Sequence, residues 1–220
     1  MTNAAKSLAI RIALSLLGPV RKRRLVGPTY ERLRMARLLR EDLLQWRLET
    51  ARKIGVRIGR DCRLYSLAIW SEPYLVEIGD NVIVSGNVSF VTHDGGVYML
   101  RDHIPNVQGN YGRIKIGNNC FIGMGVTILP NVQIGNNCVV AAGAVVNRSF
   151  GDNCVIMGNP AKTIFSFDMY RAMKKNSACT VTSAEYPFPK EMPESEKREL
   201  LEQLFRDIPL PAPTASQRGA

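Results

Sequence analysis

Two histidines, His93 and His103, are the side chains of this sequence best suited to take up a proton near neutral pH. A general base must also lie where a substrate can reach it. His93 stands in the run Val91 to Gly96, where a repeating pattern stops and an irregular segment begins, and His103 lies inside that segment beside Asp102. We favour His93 as a catalytic base and expect His103 to be a structural residue or one at the edge of a substrate site.

A catalytic imidazole needs a partner that fixes its tautomer, usually a carboxylate or a carbonyl that accepts the proton of the other ring nitrogen. Three acidic residues are candidates, in falling order Glu72, Asp94 and Asp102. Glu72 precedes a proline in a smaller irregular segment, where surface solvation would equally account for an acidic side chain. Asp94 directly follows His93, which makes a bond to its own neighbour's ring geometrically difficult. The sequence leaves the orienting role open.

The sequence that surrounds these candidate residues repeats with a period of six. A branched aliphatic side chain returns at Ile116, Ile122, Ile128, Ile134, Val140 and Val146. Four residues after an aliphatic position the side chain is smaller, at Cys120, Val126, Val132, Cys138 and Ala144, and in an earlier block at Cys62, Val82 and Val88. We expect both positions to point inward, and we expect Cys62, Cys120, Cys138 and Cys154 to pack in the core, since a free cysteine behaves as a small buried apolar residue.

Glycine often follows the aliphatic residue, at Gly59, Gly79, Gly117, Gly123 and Gly135, and the pairs Asn118-Asn119 and Asn136-Asn137 come next. These residue types tolerate left-handed backbone angles, which predicts tight corners. A unit of six residues is too short to bury its own apolar side, so successive units must stack as coils.

This pattern, from about Ile54 to Lys162, resembles the left-handed parallel β-helix of hexapeptide-repeat acyltransferases, in which three hexads make one triangular coil. Three motifs resemble more closely the sugar, polysaccharide and xenobiotic O-acetyltransferases: Ser71 to Leu75, Thr92 to Gly96, and Gly158 to Lys162. The resemblance implies an all-β core. The break in the period between Phe90 and Ile116 predicts an extruded loop, and the amphipathic patterns on either side predict flanking N- and C-terminal α-helices. In these acetyltransferases the catalytic histidine lies at the place that His93 occupies here.

Four parts of the chain follow from these patterns. We predict a basic helical segment over 1–53, a β-helix domain over 54–165 with its extruded loop at about 91–114, a helical extension over 166–208 and a disordered tail over 209–220. In the first part, the pattern predicts an amphipathic helix from Tyr30 to Lys53, with an apolar stripe formed by Met35, Leu39, Leu43 and Trp46. A second amphipathic helix is predicted from Pro193 to Ile208, with an apolar side of Leu200, Leu201, Leu204 and Phe205.

The resemblance further implies an acetyl-CoA-dependent acyltransferase that works as a homotrimer, with the cofactor in a groove between subunits and no metal. The residues that match the cofactor contacts are Phe121, Met124, Ala142, Asn147, Arg148 and Lys162. Related enzymes have Thr-Lys where this chain has Asn147-Arg148, which keeps one cation and changes the hydroxyl contact. Lys162 is the best partner for a phosphate.

A sugar hydroxyl is the acceptor we expect, in surface polysaccharide or glycan biosynthesis. Residues near the two irregular segments could contact a sugar ring by stacking or hydrogen bonding: Trp70, Tyr74, Tyr98, Tyr111 and Asp102. The same motifs are compatible with N-acetylation of an amino sugar. Rival functions for a β-helix are less well matched: a zinc-dependent carbonic anhydrase of this fold needs three histidines, a non-catalytic scaffold would lack the irregular loop, and a nucleotidyltransferase needs a nucleotide-binding domain larger than 1–53.

Charge is concentrated at one end of the chain, which carries a net charge of +10. Residues 1–53 hold 13 Lys and Arg against 4 Asp and Glu, and the rest of the sequence is almost balanced. The apolar stretch from Leu8 to Val20 falls short of the ~20 residues that span a bilayer. Nucleic-acid motifs are absent from the sequence, and five cysteines leave one unpaired in any disulfide scheme. We therefore expect a cytoplasmic protein whose residues 1–53 contact the anionic inner surface of a membrane.

Overall fold

A computed structural model describes residues 43–66, 68–69, 71–177, 179–180 and 193–207 of the 220-residue chain. These residues fall in two compact units that divide between Phe167 and Asp168. The predicted helical residues 30–42, with Met35 and Leu39, and the predicted tail over 209–220 lie outside the described residues, as does Trp70.

The first unit is built from three parallel sheets that the chain visits in turn. Sheet 1 contains β1 (Arg57–Ile58), β4 (Val76–Ile78), β9 (Ile114–Ile116) and β12 (Val132–Ile134). Sheet 2 contains β2 (Arg63–Leu64), β5 (Ile83–Val84), β10 (Phe121–Ile122), β13 (Val139–Val140), β15 (Cys154–Met157) and β16 (Lys162–Ser166), the last of which pairs antiparallel with β15. Sheet 3 contains β3 (Ala68–Ile69), β6 (Ser89–Phe90), β11 (Thr127–Ile128) and β14 (Val145–Val146).

Strand register shows that three hexads form one coil. In sheet 1, Ile116 pairs with Ile134, and in sheet 3, Ile128 pairs with Val146, so each strand lies beside the strand one full turn later. The three parallel sheets fit the left-handed parallel β-helix that the sequence repeat predicts. Between β6 and β9 the chain leaves this pattern to form β7 (His93–Asp94), a 3-10 helix over Gly95–Leu100 and β8 (Asn110–Tyr111).

The core is a single column of apolar side chains inside the coils. The six aliphatic positions from Ile116 to Val146 are at most 1% exposed, and the smaller positions between them are equally enclosed, so the predicted inward orientation is confirmed. Cys62, Cys120, Cys138 and Cys154 are buried as predicted, and the Cys120 thiol donates to the Gly135 carbonyl at 3.1 Å. Burial raises the pKa of the Cys62 and Cys154 thiols, which keeps them in the unreactive protonated form.

The corner glycines have a different role from the one predicted. The left-handed backbone angles occur at the second asparagine of each pair, with φ of 55° at Asn119 and 54° at Asn137, whereas Gly117 is outside that region. A Cβ on Gly117 would lie 2.7 Å from the backbone carbon of Gly135 in the next coil. Gly59 and Gly79 face their neighbours in the same way. Glycine is therefore required here because adjacent coils approach too closely for any side chain.

Helix α1, described over residues 43–53, lies beside the first coil. Its buried residues are Leu44, Leu48 and Ala51, and the latter two belong to the same core cluster as Val56. In the described part of the predicted stripe, Leu43 is 40% and Trp46 is 56% exposed, so this face of the helix lies outside the core. Leucine stands at both 43 and 44, so helical periodicity alone allowed two stripes, and packing against the coil selected the other one.

In the second unit, α2 (Phe167–Lys175) begins at the unit boundary, and Arg171 pairs with Asp168 at 3.0 Å on its surface. Helix α3 (Glu194–Asp207) occupies the position for which the sequence predicts a helix from Pro193 to Ile208. Within the described ranges, every helix falls short of the length and apolar character that crossing a bilayer requires.

Candidate active site

His93 lies where the chain leaves the β-helix. After β6 ends at Phe90, the chain runs along the next coil, where the Val91 amide donates to the Ile128 carbonyl at 2.9 Å. His93 then opens β7, which pairs antiparallel with β8, so that His93 lies opposite Tyr111. The amide of Gly112 closes this hairpin by donating to the Thr92 carbonyl at 2.8 Å. His93, the candidate general base, is thus held between the regular coil and the start of the loop.

Glu72 is the acid that the structure brings to the imidazole. Its Oε2 lies 3.1 Å from Nδ1 of His93, although the two residues are far apart in the sequence. The Glu72 side chain is 14% exposed and the His93 side chain is 38% exposed. Glu72 precedes a 3-10 helix over Pro73–Leu75, which interrupts the coil and lets the carboxylate reach across to β7. With Nδ1–H donated to this carboxylate, a neutral His93 carries its free lone pair on Nε2.

A second donor binds the same carboxylate oxygen. The hydroxyl of Thr92 donates to Oε2 of Glu72 at 2.6 Å, and Thr92 is only 2% exposed. The sequence pattern alone does not distinguish Thr92 as a functional residue. A polar side chain two residues after the inward-facing Phe90, and therefore on the same side of an extended chain, was the feature that could have indicated it.

The other two acidic candidates lie elsewhere. The Asp94 carboxylate accepts a hydrogen bond from the Gly96 amide at 2.8 Å and so caps the 3-10 helix over Gly95–Leu100. Asp102 is exposed in the turn that follows, and His103 is exposed there as well, with its amide donating to the Leu100 carbonyl at 2.8 Å. Asp94, predicted in the catalytic set, is therefore committed to the loop backbone.

Tyr111 lies beside the Glu72–His93 pair, with Tyr98 and Tyr74 near Tyr111. The Tyr111 ring lies 6.0 Å from the His93 ring, with the two planes inclined at 53°. Tyr98 donates its hydroxyl to the Gln108 carbonyl at 2.9 Å, and Tyr74 is 61% exposed. The nearby Tyr98 phenol, followed by partial desolvation and the Glu72 carboxylate, raises the pKa of Tyr111. Tyr111 therefore stays a neutral phenol at neutral pH, able to donate as well as accept a hydrogen bond.

The residues predicted to contact a cofactor all lie on the outside of the coils. Phe121 is 42% and Met124 is 61% exposed, and Ala142, Asn147, Arg148 and Lys162 are exposed as well. Met124 lies at the corner between sheets 2 and 3, one coil away from Ala142, and its carbonyl accepts from the Gly143 amide at 2.8 Å. Asn147 and Arg148 follow β14 at the opposite end of sheet 3, where the Arg148 guanidinium lies 5.4 Å from the centre of the Phe150 ring. The predicted contacts therefore occupy two corners.

A groove crosses the outer face of sheet 1. It begins at Leu75 and Arg113, which follow Tyr74 and Gly112, and continues past Lys115, Gln133 and other residues of successive strands. Its charge is mainly positive, although Glu77 pairs with Arg57 at 2.9 Å and with Lys115 at 3.3 Å. In the part of the chain that the structure describes, histidine, cysteine and acidic side chains form no group suited to hold a metal ion.

Comparison with known proteins agrees with this architecture. The family model described as bacterial transferase hexapeptide, six repeats, matches residues 113–148. Protein CapG of Staphylococcus aureus is 47% identical over 139 residues, which cover 62% of this chain and 76% of that protein. The chain belongs to the hexapeptide-repeat acyltransferase family. The family match covers β9 to β14 and leaves the Glu72–His93 pair on the part of the chain before it, where Glu72 precedes β4 and His93 follows β6.

Two further relatives of this acyltransferase are O-acetyltransferases. The galactoside O-acetyltransferase of Escherichia coli strain K12 is 38% identical over 112 residues, covering 50% of this chain and 53% of that enzyme. Among solved structures, a maltose O-acetyltransferase from Clostridium difficile 630 shares 25% identity with a TM-score of 0.42, over 62% of this chain and 84% of that one.

Proposed function

We propose that this acyltransferase moves the acetyl group of acetyl-CoA onto a hydroxyl of a sugar, with His93 as the general base. The observation that carries the proposal is the 3.1 Å contact between Nδ1 of His93 and Oε2 of Glu72 at the mouth of the loop. It leaves Nε2 free to accept a proton from a substrate. The galactoside O-acetyltransferase relative supports a sugar as the acceptor.

Direct transfer needs two changes of bonding. Nε2 of His93 removes the acceptor hydroxyl proton while that oxygen attacks the thioester carbonyl carbon, and the resulting oxyanion is stabilised by a backbone amide. Collapse of the tetrahedral intermediate breaks the carbon–sulfur bond, and the proton on His93 passes to the departing thiolate. The Glu72 carboxylate stabilises the imidazolium that forms between these two steps, as the acid of a catalytic triad does.

The donor would lie against two corners of the coil. Phe121, Met124 and Ala142 are near one end of sheet 3, and Asn147 and Arg148 are at the other. One cofactor in contact with both sets from a single chain would have to cross the whole sheet, whereas two neighbouring chains could each offer one corner. We therefore propose a homotrimer with the acetyl-CoA between subunits, and Lys162 and Arg148 as partners for its phosphates.

Glycan biosynthesis is the context we propose for the acceptor. Tyr74, Tyr98 and Tyr111 offer aromatic faces and hydroxyl groups close to the base, which are the groups that recognise a sugar ring. The positive groove that begins at Arg113 suits a precursor in which the sugar is carried on a phosphate-containing group. Asp102, exposed on the loop, would contact the acceptor only at its edge.

The test compares the two histidines. Release of the CoA thiol is followed with a panel of sugars, amino sugars and nucleotide sugars for the wild type, His93→Ala and His103→Ala. Loss of the general base in His93→Ala should slow turnover by about 10²–10⁴-fold. The turnover of His103→Ala should stay close to that of the wild type, because the His103 side chain is not the one in contact with Glu72. Undiminished turnover by His93→Ala would overturn the proposal, and a preference for amines would replace the hydroxyl acceptor with an amino sugar.

Contact with a membrane is a separate proposal. The excess of 13 basic over 4 acidic residues in 1–53 should draw the protein to anionic lipid, at about 1 kcal/mol for each basic residue near the surface. Sedimentation with anionic and neutral liposomes at low and high salt measures this attraction. Equal binding to both kinds of liposome, or none at low salt, would exclude it.

A further inference from the structure

We propose that Thr92 is a positioning residue that fixes the Glu72 carboxylate and, through it, the tautomer of His93. This inference rests on the proposed role of His93 as the base. Thr92 itself does not face the reacting groups, because its side chain is buried. Its hydroxyl would act only through the carboxylate that it contacts.

The geometry gives Thr92 a rigid platform. Its carbonyl accepts the Gly112 amide at 2.8 Å, and the amide of Val91 beside it is bonded to the next coil at 2.9 Å. Glu72, in contrast, lies in a segment between strands, just before the 3-10 helix over Pro73–Leu75. The 2.6 Å bond from the Thr92 hydroxyl therefore ties a less regular segment to the regular coil.

Both donors meet the same atom. Oε2 of Glu72 accepts from Thr92 at 2.6 Å and faces Nδ1 of His93 at 3.1 Å. An ionised Glu72 carboxylate can only accept hydrogen bonds, and the Thr92 hydroxyl supplies one of them to Oε2. This ionised form in turn requires the proton of a neutral imidazole to sit on Nδ1, which leaves Nε2 as the base.

Burial of the Thr92 hydroxyl indicates that its hydrogen bond to Glu72 helps to hold the carboxylate in place. Thr92 is the one polar or charged residue among the buried residues of the described chain, and a buried hydroxyl is retained only where it has a partner. Without it, Oε2 would keep a single donor and the carboxylate could turn away from the imidazole. The His93 ring would then also adopt the tautomer with its proton on Nε2. In that tautomer Nε2 cannot take the proton from the substrate hydroxyl.

Kinetics provide the first test. Thr92→Val removes the hydroxyl with little change in shape, and Thr92→Ser keeps it. Thr163→Val, on the exposed strand β16, is the matched control for the same chemical change. Thr92→Val should lower kcat by about tenfold, the size expected for loss of one hydrogen bond to a charged group, with KM little changed. Thr92→Ser and Thr163→Val should stay close to the wild type.

A double-mutant cycle separates positioning from general loss of stability. When Glu72 is replaced by Gln, the additional Thr92→Val change should have a much smaller effect on kcat, because the carboxylate on which Thr92 acts is gone. Full additivity of the two substitutions would show that Thr92 acts independently of Glu72 and would overturn the proposal.

The tautomer can be measured without any acceptor. Nitrogen NMR of protein labelled at histidine should show two imidazoles, of which exposed His103 serves as the internal reference. At a pH where His93 is neutral, the wild type and Thr92→Ser should show the proton on Nδ1, and Thr92→Val should shift the population toward Nε2. An unchanged tautomer together with unchanged kcat in Thr92→Val would refute the proposal.

Two safeguards keep these results interpretable. If Thr92→Val does not fold, Thr92→Ala set against Thr92→Ser makes the same comparison of hydroxyl absent and present. His93→Ala is measured alongside: full activity of that variant overturns the proposed function itself, whereas an inactive His93→Ala with a wild-type Thr92→Val overturns only the role of Thr92.

Discussion

Glu72 and His93 meet at 3.1 Å because two departures from the hexad pattern lie side by side on neighbouring coils. The first departure is the 3-10 helix after Glu72, and the second is the hairpin that begins at His93. Neither residue belongs to the part of the chain that the family model matches, residues 113–148. The regular coils supply a rigid support, and the proposed catalytic pair lies where that regularity is interrupted.

Replacement of Glu72 by Gln should reduce kcat by up to about 10⁴-fold, because the charge that stabilises the imidazolium and fixes its tautomer is lost. Asp94→Asn is the matched control, since its carboxylate contacts the Gly96 amide instead of the imidazole. That variant should keep a rate close to the wild type. The CoA thiol assay with the acceptor found in the sugar panel measures both. A larger loss for Asp94→Asn than for Glu72→Gln would reverse the assignment of the two acids.

Much of this architecture was predictable because the repeat is local. The aliphatic position represented by Ile122 and the smaller position represented by Cys120 recur every six residues. The burial of both kinds of position follows from the stacking of the coils alone. The sequence also ranked Glu72 first among the acids beside His93. It did not reveal Thr92, since a threonine after an aliphatic strand residue is ordinary in a sequence and becomes informative only when its hydroxyl is seen to be buried against a carboxylate.

Contacts between coils were the harder part to predict. Gly117 was expected to bend the chain, yet it is required because the backbone of Gly135 passes 2.7 Å from where its Cβ would be. In α1, the sequence predicted an apolar stripe that includes Trp46, and the residues buried in the core are Leu48 and Ala51 of another face. The role of Gly117 could not be predicted because its deciding neighbour is a full turn away in the β-helix and leaves no trace in the local pattern.

Gly117→Ala tests the close approach of the coils. The new methyl would meet backbone atoms that cannot move aside, so we expect a loss of about 1–3 kcal/mol in the free energy of unfolding, as for other overpacked cores. Gly86→Ala is the matched control, because a Cβ at that position meets no atom within 4 Å. It should be neutral or stabilising by about 0.4–1 kcal/mol. Urea unfolding of both variants at one protein concentration distinguishes them, and equal stabilities would contradict the steric account.

Glu77 should make the stability of the β-helix depend on pH in the acid range. Lys115, followed by Arg57, lowers the pKa of the Glu77 carboxyl below its ordinary value of 4.5. A depressed pKa in the folded state means that the carboxylate contributes stability above about pH 4.5, and that this contribution is lost as the pH falls through the folded-state pKa.

Glu77→Gln should therefore be less stable than the wild type at pH 7, and the difference should shrink toward pH 3. Because the pair is partly exposed, high salt should narrow the difference at pH 7 as well. Urea unfolding of both proteins at the two pH values measures this; a difference that stays constant from pH 7 to pH 3 would mean that Glu77 stabilises the coil by packing instead of charge.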